Sequence, residues 1–325
     1  MRVGVDIGGT KTEAVAIDES GRVIEEVRVA TGFGADAVVA STVEAVEGLA
    51  DRLGRVAADF GAIGVGVPGA VDPASGSVSH AVNLGLEGLA LGEKLSARLG
   101  VRVRLENDVN VAALGAFHLL GHGAEHSMAY LNLGTGLAAG LVLSGRLWRG
   151  SRGTAGEIGH IPVDPAGELC SCGQRGCLEL LASGSAVARQ WPTEHPRPVQ
   201  DLFEAAARGD ALAIEVRQRF IDNVASAVRV LVLTVDVDDV VIGGGITSLG
   251  VPLLDAIRAV LADWSTQSQF LASLELPSRV GLAPAGPVAS VGAALLAELA
   301  PAPAPAPAAS QAPARESASR ESDVA

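Results

Sequence analysis

Aromatic side chains are scarce in this sequence, 3% of residues against 48% hydrophobic overall. The core must therefore be built from Val, Leu, Ile and Ala, a composition that suits an α/β protein with buried parallel strands. Basic residues are also in short supply: 24 Lys and Arg face 37 Asp and Glu, for a net charge of −13. That balance argues against a nucleic-acid surface, which needs cations to neutralise phosphates. No run approaches the ~20 apolar residues that cross a bilayer. The opening Met1-Arg2-Val3-Gly4-Val5-Asp6 lacks the apolar segment and small-residue cleavage site of a secretory leader. Three cysteines, an odd number crowded between Cys170 and Cys177, make a poor disulfide framework. These absences predict a cytoplasmic chain without nucleic-acid or membrane partners, and 325 residues allow two domains of ordinary size.

What the sequence does have is glycine in three telling places: Asp6-Ile7-Gly8-Gly9-Thr10-Lys11, Gly134-Thr135-Gly136 and Gly243-Gly244-Gly245. Each follows an apolar, β-branched run, where a strand turns back. A turn without Cβ atoms lets backbone N–H groups approach an anion closely enough to replace its water. Three such turns, with Glu106-Asn107-Asp108 between the first two, point to phosphoryl transfer by an enzyme that holds a nucleotide between two lobes.

The pattern of apolar residues predicts strands at Val3–Val5, Glu13–Ile17, Val23–Val29, Ile63–Val67 and Val101–Leu105 in the first half. A helix is predicted over about residues 37–60, others at Leu91–Leu99 and from Asp108 or Val109 to about Leu120. The second half opens with Met128–Leu133, Leu137–Leu143 and Arg146–Trp148. Helices follow at Gly184–Gln190, Val199–Arg208 and Ala211–Thr234, then a strand at Asp239–Ile242 and a closing helix near Ala289–Leu299. From Pro301 the chain alternates Pro and Ala before a Ser, Arg and Glu mixture, which predicts a disordered tail over 301–325.

Asp6, at the end of the first strand, is placed to orient a hydrated Mg²⁺ beside nucleotide phosphates, since Mg²⁺ keeps several waters and takes only one or two carboxylates. Alone it would read as a turn-capping Asp; Gly8, Gly9 and the Thr10 hydroxyl favour phosphate contact. Lys11, one of two lysines in the chain, is a candidate point charge there or a solvated turn lysine. Asp108 is the candidate general base, because transfer to an alcohol needs the hydroxyl aligned and its proton accepted. It also fits the N-cap of the following helix, and the two roles are compatible. Asn107 offers both a donor and an acceptor to a polyol. His160 with Cys170, Cys172 and Cys177 supplies four ligands for a closed, structural tetrahedral Zn²⁺ site rather than a catalytic one. Glu157 and Glu179 flank that loop, either gripping sugar hydroxyls or lying on the surface as ordinary acids.

Together these residues resemble the ROK family of sugar kinases and sugar-responsive repressors, within the actin/Hsp70/hexokinase-like (ribonuclease H-like) two-lobed α/β fold. The matching strings are Asp6 through Lys11, Val67-Pro68-Gly69 with Val71-Asp72, Glu106-Asn107-Asp108-Val109-Asn110 and Leu133-Gly134-Thr135-Gly136. They continue with Gly145-Arg146-Leu147, Gly156-Glu157-Ile158-Gly159-His160, the cysteine string to Glu179, and Ile242-Gly243-Gly244-Gly245, covering roughly residues 1–300 in order. The resemblance implies ATP-dependent phosphorylation of a hexose at the 6-hydroxyl, with Asp108 as base. Asn83, Asn107, Glu157, His160 and Glu179 would contact the sugar, His160 ligating zinc through its other ring nitrogen. The glycine turns of both lobes would bind phosphate, with Gly243–Gly245 near the adenosine. It further implies a smaller lobe over 1–118 completed by a closing helix at 289–300, a larger lobe over 119–288, and a homodimer.

Two departures stand out. Ala138-Ala139 replace glycines usual after Gly134-Thr135-Gly136, and two methyl groups there would tighten or alter the phosphate pocket. Phe117 occupies a place where a polar residue is common. The family's repressors carry a DNA-binding domain before the kinase-like part, whereas here the Asp6 strand follows the initiator directly, which favours a kinase. Asn83-Leu84-Gly85 with a full cysteine loop resembles the glucokinase members. An N-acetylglucosamine or N-acetylmannosamine kinase is the alternative, and a catalytically silent sugar sensor is a further one. Polyphosphate is an alternative donor to ATP.

Overall fold

The computed structural model describes residues 1–72 and 75–297, so the tail predicted from Pro301 lies outside the described residues. The first half runs β1 (Arg2–Ile7), β2 (Lys11–Ile17), β3 (Val23–Ala30), α1 (Ala35–Arg52), β4 (Ala62–Val67), β5 (Ala70–Asp72), β6 (Ser77–Ser79), α2 (Leu91–Leu99), β7 (Arg102–Asn107) and α3 (Asp108–Leu119). The second runs β8 (Met128–Leu133), β9 (Leu137–Leu143), β10 (Arg146–Trp148), α4 (Gly184–Gln190), α5 (Pro198–Ala207), α6 (Ala211–Val235), β11 (Asp239–Gly243), α7 (Val251–Gln267), α8 (Gln269–Ser273), β12 (Val280–Leu282) and α9 (Val288–Leu296).

Two five-stranded sheets result, ordered β3-β2-β1-β4-β7 and β10-β9-β8-β11-β12. In each, the first three strands form an antiparallel meander and the last two join in parallel. One architecture is thus used twice, giving the two-lobed actin/Hsp70/hexokinase-like fold. Each sheet has its own aliphatic core: Val3, Val5 and Ile7 pack with Val46 and Leu49 of α1 and Leu95 of α2. Leu131 and Leu133 pack with Phe220 and Val224 of α6 and Ile257 of α7.

The sheets meet through α3 and α9. A Cβ at Gly115 of α3 would run into the Val288 carbonyl, and one at Gly292 of α9 into the Val111 carbonyl. The helices therefore cross backbone to backbone. The same α9 lies directly on the first sheet, since Cβ atoms at Gly4 and Gly64 would strike the Ser290 and Ala293 carbonyls. The other face of α3 meets the second sheet, with Val109, Ala113 and Phe117 against Met128, Tyr130 and Val241.

Three local expectations change. The helix predicted to about residue 60 stops at Arg52; Gly54 follows at a φ of +64°, and a 3₁₀ turn occupies Ala57–Phe60. The N-cap of α3 is Asn107, not Asp108. Residues 251–282, left unassigned by the sequence, carry α7, α8 and β12; α7 opens after Gly250 with proline in its first turn, a start signal that sequence offers. Among the described residues no helix is long and apolar enough to cross a membrane.

Candidate active site

The first glycine turn closes when the Gly8 N–H donates to the Lys11 carbonyl at 2.9 Å. Asn83 lies against it, its Nδ2 only 3.4 Å from where a Gly9 Cβ would stand. Gly66 on β4 pairs with Asp6, and a Cβ there would fall 3.7 Å from Asp6 Oδ1 and 3.6 Å from the Asp108 Cα. Those are ordinary contacts; the clash a Cβ at Gly66 would make is with Val111 Cγ2 at 2.5 Å, so the glycine lets α3 lie close against β4. Burial, with the Asp108 and Glu13 charges adding and Lys11 opposing, pushes the Asp6 carboxyl up to about 7. A cation beside it would relieve that frustration, so the residue fits a metal-orienting role.

Asp108 opens α3. Asn107 caps the helix, its Oδ1 accepting from the Val109 N–H at 2.9 Å and the Asn110 N–H at 3.2 Å, while its Nδ2 donates to the Gly69 carbonyl at 3.1 Å. These bonds leave Asn107 one amide hydrogen for a ligand. Burial raises the Asp108 carboxyl above the ordinary range; the Val109 N–H works against it and the Glu157 charge with it.

Immediately before lies Glu106, to which the sequence assigned no role. Its Oε1 accepts from Asn110 Nδ2 at 2.9 Å and the Asn107 N–H at 3.0 Å. Its Oε2 accepts from Arg149 Nε at 2.5 Å. Arg149, just past β10, was passed over entirely; two charges 43 positions apart carry no sequence signal of pairing.

In the second lobe the Gly134 N–H donates to the Gly136 carbonyl at 3.1 Å. The Glu179 carboxylate sits over that turn, accepting from the Leu137 N–H at 2.9 Å, and a Cβ at Gly136 would meet it at 2.5 Å. Gly134, Thr135 and Gly245 line one cavity of about 310 Å³ with Arg197, Gln200 and Ile246. The second and third glycine turns thus share a cavity, while Gly8, Gly9, Thr10 and Lys11 lie outside it. Gly244, at a φ of +87°, passes within reach of Asn132 and the Leu133 carbonyl, where no Cβ would fit. The two methyl groups of Ala138 and Ala139 point away from the Gly134–Gly136 turn: Ala138 packs toward α3 and Ala139 into the second-lobe core, as alternation along β9 requires.

His160, Cys170, Cys172 and Cys177 come together, with one ligand atom each lying within 4.8 Å of all the others. Cys172 Sγ is 3.6 Å from Cys177 Sγ, and Cys170 Sγ is 3.8 Å from His160 Nδ1. A knuckle presents the first pair, the Cys170 N–H donating to the Gln174 carbonyl at 2.7 Å and the Gly173 N–H to the Cys170 carbonyl at 2.9 Å. Gln174 lowers the Cys172 thiol to about 6, whereas burial and the other two thiols push Cys177 up to about 12. A crowd of thiols with opposed tendencies is a donor set that Zn²⁺ satisfies. Nδ1 is thus the ring nitrogen that faces the Cys170 sulfur. Glu157 stands exposed at the head of the turn Ile158–His160.

A second cluster, His122, His126 and Asp239, is of another kind. Its imidazoles stack with centroids 3.9 Å apart and planes 13° from parallel, beside Phe117. An ion bound in the plane of one ring lies out of the plane of the other, so this is a stacked pair with His126 Nε2 2.8 Å from Asp239, not a metal centre as arranged.

Comparison with known proteins agrees. The model of the ROK family matches residues 2–298. The glucokinase of Halalkalibacterium halodurans is 34% identical over 276 residues, 79% of this chain and 83% of the relative. The N-acetylmannosamine kinase of Haemophilus influenzae is 30% identical over 270 residues, 81% of this chain and 86% of the relative. Among solved structures, a ROK family glucokinase from Streptomyces griseus in complex with glucose and AMPPNP superposes with a TM-score of 0.76 at 32% identity, covering 91% of this chain and 98% of that one.

Proposed function

The chain belongs to the ROK family and is a hexokinase-type sugar kinase that uses ATP, and from that premise we propose that it phosphorylates the 6-hydroxyl of glucose with Asp108 as general base. The observation that carries this reading is Asp108 itself: a carboxyl raised by burial, at the start of a helix between the two sheets, with the Glu157 charge adding to the rise and with Asp6 near enough to feel its charge. A base whose pKa lies nearer neutrality takes a hydroxyl proton more readily. Asp108 accepts the 6-hydroxyl proton as the oxygen attacks the γ-phosphorus, and ADP leaves. Asn83, Asn107, Glu157, Glu179 and the Nε2 of His160 hold the remaining hydroxyls and so fix which oxygen reaches phosphorus.

The nucleotide lies against Gly134, Thr135 and Gly136, with its base in the cavity beside Gly243, Gly244 and Gly245. Its terminal phosphates reach Gly8, Gly9, Thr10 and Lys11 when the lobes close, which also excludes water. Mg²⁺ held near Asp6 would supply neutralisation of phosphate charge. Zn²⁺ held by His160, Cys170, Cys172 and Cys177 would supply rigidity to the loop carrying Glu179. The moving bodies in this reading are residues 1–118 with the closing helix and residues 119–288. We place the enzyme in the cytoplasm as a homodimer.

A second reading, an N-acetylhexosamine kinase, draws support from the 30% identity to an N-acetylmannosamine kinase. The test is ADP release from Mg-ATP with glucose, mannose, fructose, N-acetylglucosamine and N-acetylmannosamine offered singly, with Asp108→Asn as blank. Glucose turnover well above the rest is expected. A preference for an N-acetyl sugar moves the assignment to the second reading, and turnover by the blank removes Asp108 from its role.

A further inference from the structure

We infer that Glu106 and Arg149 form a positioning pair that sets the catalytic carboxylate of one lobe against the sugar-binding loop of the other. The inference rests on the reading of Asp108 as base. Glu106 is the penultimate residue of β7 in the first sheet and Arg149 follows β10 in the second, so their contact is one of the direct ties between lobes. Both are withdrawn from solvent, with side chains 5% and 23% exposed. A buried carboxylate needs each oxygen occupied, and here every bond it accepts belongs to the site. Oε1 takes Asn110 Nδ2 and the Asn107 N–H, fixing the backbone from which Asp108 springs; Oε2 takes Arg149.

Arg149 in turn anchors the other side. Its carbonyl accepts from the Ala155 N–H at 3.2 Å, closing the loop 149–155. The next residue, Gly156, is held to the second sheet through its carbonyl, which accepts from the Ala139 N–H at 2.8 Å. Glu157 and His160 follow directly. A short chain of charge-assisted and backbone bonds therefore runs from the base to the residues proposed to hold the sugar. Guanidinium suits this better than an ammonium, because its planar fork fixes direction as well as charge. Neither residue is placed to touch substrate; both act through Asp108 and the loop.

The experiment is steady-state kinetics of Arg149→Met and Glu106→Gln on the full chain, with Arg149→Lys as the conservative variant. Arg149→Met is expected to lower kcat roughly 10- to 100-fold, the penalty of misplacing reacting groups by about an ångström. Sugar KM should rise several-fold while ATP KM stays within about twofold, and Arg149→Lys should recover part of the lost kcat. Glu106→Gln keeps the shape and the acceptor for Asn110 while removing the charge, so it remains informative if Arg149→Met fails to fold. It should lower kcat at least about fivefold, and the double variant should be no worse than the poorer single one. A melting temperature that falls while kcat and sugar KM hold, or equal losses toward sugar and ATP, would overturn the pair. If instead Asp108→Asn turns over normally, the base assignment has failed, and the Arg149 and Glu106 results are then read without it.

Discussion

The two lobes share a backbone plan but not a chemistry. Each sheet begins with a strand, a glycine turn and an antiparallel return, then adds two parallel strands. Asp6 on β1 stands opposite Gly66 of the parallel neighbour; the matching position on β8 is Asn132, opposite Gly243. The first turn thus carries a half-buried carboxylate and Lys11, whereas Gly134-Thr135-Gly136 has no charged residue of its own. Backbone N–H groups can cradle phosphate in both copies. The strand entering the first turn carries the Asp6 carboxyl, which lies near Asp108; the second turn has the Glu179 carboxylate laid over it instead. What the second lobe has instead is the cysteine loop and the cavity of about 310 Å³. The same strand order occurs twice, with different residues at matching positions.

The largest effect should come from Asp108→Asn, which removes the proposed proton acceptor and keeps its shape. Turnover should fall by roughly 10²- to 10⁴-fold with sugar binding retained, measured by kinetics and calorimetry. Wild-type turnover would show that charge in the first lobe is not what divides the two.

Next in size is Asp6→Asn, which gives β1 the residue that β8 already has. A loss of about 10²-fold in turnover is expected if the charge orients Mg²⁺. The same change makes a stability prediction of opposite sign. The Asp6 carboxyl is raised from its ordinary 3.8 to about 7, so the folded state binds its proton more tightly than the unfolded chain. Stability from this group is therefore greatest below about 4 and is lost as pH rises toward 7. Without metal at pH 8, Asp6→Asn should melt about 2–5 °C above the parent. In the parent, activity at fixed Mg²⁺ should fall as pH drops through about 7, and more Mg²⁺ should move that limb to lower pH. A limb insensitive to Mg²⁺ would separate Asp6 from the metal.

Much of this division was legible in the sequence, because its signals are local. Gly8-Gly9, Gly134-Thr135-Gly136 and Gly243-Gly244-Gly245 announce turns by composition, and Cys170, Cys172 and Cys177 with His160 announce a ligand set by spacing. The strands of both meanders follow from short apolar runs. What escaped depends on contacts between distant segments. Glu106 finds Arg149 only because β7 and β10 end near each other, and no periodicity reports that. Glu179 reads in the sequence as a sugar contact or a surface acid, but that it lies over Gly136 and accepts from the Leu137 N–H is not legible there. The shared plan of the two sheets shows no repeated string, since equivalent strands are interchangeable aliphatic runs and their pairing order reveals it.

The cysteine loop belongs to the second lobe alone, and Cys172→Ser tests whether it serves the sugar or merely the fold. The variant should lose bound zinc and raise sugar KM about tenfold, in line with the cost of losing a metal ligand's support. Because Glu179 accepts from the Leu137 N–H, ATP KM should also rise, by about two- to threefold. Full zinc in the variant by metal analysis would mean the ligand set is wrong.

The smallest effect is expected where the sequence pointed to a consequence for phosphate binding. Ala138 and Ala139 stand just past the uncharged turn, and their methyl groups face the α3 side and the second-lobe core respectively. Replacing each with glycine removes buried methyl groups and frees the unfolded chain, so each should cost about 0.5–1 kcal/mol. ATP KM should stay within about twofold, because neither methyl faces the turn proposed to receive phosphate. Melting and ATP kinetics of Ala138→Gly/Ala139→Gly decide the matter. A fivefold change in ATP KM would mean that these alanines shape the phosphate turn, and that the two lobes differ in the space around their cradles as well as in charge.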